Sequence, residues 1–219
     1  MDTLAGILIW APPILFAITV HEFAHGWVAN RLGDPTAKYA GRLTLNPLSH
    51  LDPIGTLMLF IVHFGWAKPV PVNPFNFRNP RKDMMWVSLA GPGSNILCAL
   101  GCGIIIRFLS PFVAGVDPKT SFLTIFFYML VFGLVINIAL AIFNLLPIPP
   151  LDGSKILMGM LPQEYEPQIL QLERFGPFLL IFLVMMSWML RINFFWIFIG
   201  PFVSFFSIIF AGMDLARFF

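Results

Sequence analysis

The chain has 219 residues, of which 58% are hydrophobic and 11% charged. A soluble domain carries roughly 25% charged residues, and the apolar residues here gather in long runs, so a soluble globular fold is excluded and lipid is the expected solvent. A formal net charge of +2 without a basic patch excludes nucleic acid as a partner, and two cysteines are too few for a disulfide scaffold.

The first apolar segment covers residues 4–32. At about 1.5 Å per residue it is long enough for a hydrocarbon core of about 30 Å. Trp10 and Trp27 are spaced to sit near the two interfaces. There is no basic n-region and no small-residue cleavage site, so the segment reads as retained rather than as a signal peptide. Residues 33–53 form a polar loop with turn signals at Gly33-Asp34-Pro35 and Leu51-Asp52-Pro53. Residues 54–66 are apolar but too short for a span, and read as a re-entrant or interfacial segment. In residues 67–82 the recurring prolines forbid a helix and favour extended chain or an edge strand.

A second long segment, residues 84–109, is rich in small residues (Ala90, Gly91, Gly93, Ser94, Ala99, Gly101, Gly103) that let membrane helices approach closely. Cys98 and Cys102 share a face of it and read as small packing residues. After a loop at 110–120, a third segment at 121–146 runs into Pro147-Ile148-Pro149-Pro150-Leu151-Asp152-Gly153. Residues 154–174 are more polar, a loop with a short helix, and apolar segments at 175–190 and 192–211 follow. The expected fold is an all-α polytopic membrane protein. It has about five transmembrane helices, a re-entrant or interfacial segment, and a short extended, β-capable stretch at the membrane. Residues 1–219 form one transmembrane domain, with a core at about 4–153 and C-terminal helices at about 175–213.

The positive-inside rule sets the expected orientation. With the N-terminus outside, Arg31, Lys38, Arg42, Lys68, Arg78, Arg81, Lys82, Lys155, Arg174 and Arg217 fall on the cytoplasmic side. Arg107, Lys119 and Arg191 fall outside.

His21-Glu22-Phe23-Ala24-His25 matches H-E-x-x-H. On a helix, positions i and i+4 share a face, so both imidazoles can reach one zinc ion, and Glu22 beside them can take a proton from an attacking water. Two histidines and a glutamate in an apolar span each need a partner to remain there. Zinc at a catalytic site usually takes a third protein ligand. Asp152 is the candidate, because the prolines before it break the chain at membrane depth, which is tolerated where backbone lines a cavity. On local sequence alone, a loop aspartate at the interface is an equal reading of Asp152.

His21-Glu22-x-x-His25, Gly91-Pro92-Gly93-Ser94-Asn95 and the stretch 144–153 together resemble, in the same order, three signatures of the site-2 protease family. The resemblance covers nearly the whole chain. It implies a core of three transmembrane helices, with His21, His25 and Asp152 on one zinc ion and Glu22 as general base. It also implies regulated intramembrane proteolysis of membrane-protein substrates in the cell membrane of a prokaryote; the orientation expected from the charges puts the active site toward the cytoplasm. Two departures stand out: there is no room for a PDZ or CBS module, so the chain looks like a minimal form, and the catalytic helix comes first. Asn95 matches the family's asparagine in the Gly-Pro motif; its amide can donate to substrate or to a developing oxyanion, or make a helix-to-helix bond. Asn144 either orients the Asp152 loop or caps the broken helix, and Asn137 reads as an interhelical contact. His50 and His63 lack ligand spacing and read as local hydrogen-bonding groups.

Two other functions compete. A zinc transporter needs polar groups spread along several spans, whereas these cluster at one depth. A non-catalytic metal-binding scaffold has no use for an intact Glu22.

Overall fold

In the computed structural model, residues 3–62, 65–113, 121–191 and 193–218 are described. Their elements are α1 (Thr3–Arg31), α2 (Thr36–Tyr39), α3 (Pro53–Val62), α4 (Pro80–Val113), α5 (Phe122–Asn144), α6 (Asp152–Met160), α7 (Glu166–Leu190) and α8 (Phe194–Ala211), with short 3-10 turns between some of them. By length and apolarity, α4, α5 and α8 suffice to cross a bilayer.

Helix α4 begins four residues before the apolar run. Asn79-Pro80 supplies the start, with the Asn79 side chain accepting from the Lys82 amide and Asp83 accepting in return from the Asn79 amide. Helix α1 packs on α4 and α5, α4 also on α6 and α8, and α5 on α8. Fully buried small residues, Ala17 on α1 and Ala99 on α4, allow the close approach, and Leu134, Ile138 and Val203 fill the centre.

The direction of α8 departs from a simple alternation of spans. It starts beside the end of α5, where the Phe143 and Phe195 rings stand 5.4 Å apart. It ends beside the far half of α4, where Arg107 donates to the carbonyls of Phe210 (2.8 Å) and Ile209. So α8 runs antiparallel to α5 and parallel to α4. Its last carbonyls draw the guanidinium there, as unsatisfied helix C-termini do. Helix α7 therefore starts near α6 and hands the chain to α8 on the same side of the bundle. Its contacts are chiefly with α6 and α8; of the five expected spans, length and apolarity support three among the described residues. Arg217 consequently lies at the Arg107 end and Arg191 at the opposite end, an exchange that preserves the expected charge bias.

The extended stretch makes no strand among the described residues. One isolated antiparallel bridge, Leu51 to Ala67, is all that forms. Pro69, Pro71 and Pro74 carry no N–H, so no ladder can run through them. Residues 53–62 do form a short helix, at about 15 Å too short to span. His63 and Lys119 lie outside the described residues.

Candidate metal centre

Helix spacing puts His21 and His25 side by side, ring centroids 4.6 Å apart and nearly perpendicular, with their Nε2 atoms 3.0 Å apart. Both are buried. Their other nitrogens define the tautomers. The His25 Nδ1–H donates to the Val87 carbonyl at 2.7 Å, an atom that can only accept. The His21 Nδ1 lies 2.6 Å from Asn95 Oδ1. That oxygen is assigned by its partner nitrogen, since Asn95 Nδ2 donates to the Ala17 carbonyl (3.1 Å) and to Asn137 Oδ1 (2.8 Å). Asn137 in turn donates to the Gly133 carbonyl at 2.7 Å. Each imidazole is thus protonated on Nδ1 and offers a bare Nε2 lone pair.

Asp152 is delivered by tertiary structure. Helix α5 stops at Asn144, whose side chain donates back to the Leu140 carbonyl at 2.9 Å and so finishes the helix rather than holding the following loop. The chain then folds back so tightly that a Cβ on Gly153 would collide with the Leu145 and Leu146 carbonyl oxygens. Asp152 opens α6, and Arg81 at the start of α4 clamps the other end of α6, donating to the carbonyls of Met158 (2.6 Å), Leu161 and Pro162 (3.2 Å).

The result is Asp152 Oδ2 at 3.2 Å from His21 Nε2 and 3.3 Å from His25 Nε2. With both ring protons committed elsewhere, that oxygen is buried without a donor. Three buried lone pairs facing one another repel unless a cation lies between them. Their separations of 3.0, 3.2 and 3.3 Å match the edge of a tetrahedron with bonds of about 2.0–2.1 Å, which is about 3.3–3.4 Å. The donor set therefore fits zinc. Among the described residues, this is the cluster of histidine, cysteine or carboxylate groups fit to hold a metal.

Glu22 is half-buried on the same helix, and its Oε2 accepts the main-chain amide of Val70 at 2.8 Å. His50 is buried apart from this cluster, its Nε2 2.8 Å from the Thr44 carbonyl. The sequence offers Gly91 as a small packing residue and as the first residue of the Gly-Pro motif, without a role of its own at the site. Its role is sharper: a Cβ there would fall 2.6 Å from His21 Nε2 and closer still to His25 Nε2. Position 91 must be glycine for α4 to cross the imidazoles. Its place one helical turn before Asn95 was the available signal.

Fold and site together define a helical membrane protein with a buried His-His-Asp cluster fit to hold a cation, on a helix that also carries a glutamate. The family model "Peptidase family M50" matches residues 109–186. A Bacillus subtilis protein named "Putative zinc metalloprotease YwhC" is 39% identical over 172 residues, 78% of this chain and 77% of that one. "Putative zinc metalloprotease Rip2" of Mycolicibacterium smegmatis is 29% identical over 93% of this chain and 78% of its own length. "Putative zinc metalloprotease MJ0611" of Methanocaldococcus jannaschii is 31% identical over 63% of this chain and 62% of its own. No solved structure matches. The chain belongs to peptidase family M50, the site-2 protease family. It is a zinc metallopeptidase of the membrane.

Proposed function

We propose that the protein hydrolyses peptide bonds in or near transmembrane segments of other membrane proteins, using one zinc ion held by His21, His25 and Asp152 and Glu22 as general base. The convergence of three proton-free donor atoms, two of them from the helical turn that carries Glu22, carries this reading. Bound zinc supplies a Lewis acid that polarises the scissile carbonyl and makes water a better nucleophile near pH 7. Glu22 takes the proton of the attacking water and returns it to the leaving amine. Asn95 spends both amide hydrogens on Ala17 and Asn137 and its oxygen on His21; its role is to hold the imidazole rather than to face the substrate.

Four helices, α1, α4, α5 and α8, cross the bilayer in one domain, with the N-terminus outside and the site toward the cytoplasmic face of a prokaryotic cell membrane. Water enters from that face.

Glu22→Gln tests the reading. In detergent, with a membrane-protein substrate, the variant is expected to keep parental zinc and lose cleavage by roughly a hundredfold or more, and a chelator to stop the parental enzyme. Cleavage at the parental rate by Glu22→Gln would remove Glu22 as the base. Zinc flux into vesicles, with no cleavage, would favour a transporter instead.

A further inference from the structure

We infer that the main-chain amide of Val70 is a positioning donor for Glu22, and that Asp34 is the residue that keeps it in place. The inference rests on Glu22 being the base. From Lys68 to Asn73 the chain reads Lys-Pro-Val-Pro-Val-Asn, and only four of the six residues have an N–H. Three of those four donate to different parts of the molecule. Lys68 donates to the His50 carbonyl (2.9 Å), Val70 to Glu22 Oε2 (2.8 Å), and Asn73 to Asp34 Oδ2 (2.7 Å). The alternating prolines therefore do more than prevent a helix: they leave this segment four amides, three of which have acceptors, and one of those is aimed at the catalytic glutamate.

The contact is not an incidental surface touch. Val70 is buried, and its side chain sits against α1 directly over Gly26, where a Cβ would be 3.2 Å from Val70 Cγ1. Both ends of the segment are tied down. Arg42 Nη2 donates to the Lys68 carbonyl at 2.7 Å. At the other end stands Asp34, fully buried just past the end of α1, the helix that carries Glu22. Its Oδ2 takes the Asn73 amide, and its Oδ1 takes the Thr36 amide (3.1 Å), the Thr36 hydroxyl and the Asn76 side-chain amide (2.7 Å). A buried carboxylate persists only when its lone pairs are met, and Asp34 meets them with the segment that presents Val70.

The consequence is geometric. With Oε2 held by Val70, the carboxylate of Glu22 has one orientation, and Oε1 is the oxygen left to take a proton. A base must be within hydrogen-bond reach of that proton, and a displacement of about 1 Å costs rates of about a hundredfold.

Hydrogen exchange and kinetics test this separately. In the purified protein the prolines are silent, so four amides report on residues 68–73. Glu22→Ala is expected to speed exchange of the Val70 amide about tenfold or more and spare Asn73, while Asp34→Asn, which sets an NH2 or loses an acceptor against its donors, speeds both. In cleavage assays Val70→Pro removes the donor and keeps an extended chain. Val72→Pro, whose amide has no acceptor among the described residues, sets the baseline for adding a proline here. Val70→Pro is expected to fall about tenfold or more below Val72→Pro in kcat, with KM and zinc content held, as misplacement of a base requires. Equal kcat in the two proline variants overturns the inference and leaves Glu22 as base intact. So does a Val70 amide that exchanges as fast in the parental protein as in Glu22→Ala. Zinc-loaded parental protein that cleaves nothing sinks the proposed function and this inference with it.

Discussion

The seam between α1, α4 and α5 and the outer helix α7 are both apolar helical surfaces, yet they are held by different means. Along the seam, buried polar groups run without a break from the metal cluster into the bundle: His21 to Asn95, Asn95 to Asn137, Asn137 to the Gly133 carbonyl. Helix α7 turns Phe175, Phe178, Ile181, Phe182, Met185 and Met189 outward. In lipid there is no hydrophobic force pressing one apolar helix on another, so position comes from hydrogen bonds and close packing of small residues. The seam has both. Helix α7 makes a tight approach at Gly176, against Pro149. The two imidazoles are thus held by the seam, and the outward face of α7 is a surface that can be altered without touching them.

The largest effect expected from breaking that contrast is at Gly91. Gly91→Ala sets a methyl against both Nε2 atoms, and zinc retained after dialysis, measured by metal analysis, should fall to a small fraction of the parental content along with cleavage. Full zinc occupancy in this variant would mean that α4 can yield, and that the seam is softer than described. Next comes Asn95→Leu, which frees the His21 ring while leaving all three ligands. Zinc affinity is expected to drop by about 10–100-fold, the usual cost of losing an outer-shell partner, as read by competition with a chelating dye.

A smaller effect follows from Asp34. Burial alone would raise its carboxyl, but hydrogen bonds from Thr36, Asn76 and Asn73 outweigh it and hold the pKa below the usual range. A depressed folded-state value contributes stability that is complete above the unfolded pKa of about 3.9 and is lost as pH falls through the lower folded one. Protease resistance of the segment 68–76 should therefore stay level from pH 7 to about 4 and decline only below that; a decline beginning near pH 6 would implicate another group. Least of all should happen on α7: Phe178→Ala with Phe182→Ala is expected to change zinc affinity less than about twofold, since neither side chain is near the seam. If it weakened zinc as much as Asn95→Leu, the separation of the two regions would fail.

Some of this was readable along the chain because it is local. His21, Glu22 and His25 share one helical turn, and the rule that places i and i+4 on one face needs no tertiary information. Helices α1, α4, α5 and α8 were legible within a few residues, because lipid demands long unbroken apolar runs, whereas α7 begins at Glu166, well inside a stretch whose polar residues read as loop. The direction of α8 was not legible either. Residues 175–190 and 192–211 look alike in composition, and nothing in either says that α7 returns the chain to the side it came from. That is decided by Arg107 meeting the last carbonyls of α8 and by Phe195 meeting Phe143.

The sequence by itself determined the solvent, the helical class and two of the donor atoms, since those follow from composition and from spacing within one element. Tertiary structure alone decided that Asp152 arrives beside them, that Gly91 is where α4 crosses the imidazoles, and that an amide between two prolines reaches Glu22. Each of these joins residues dozens of positions apart, and a distance across the fold is set by how helices pack, which no local period encodes.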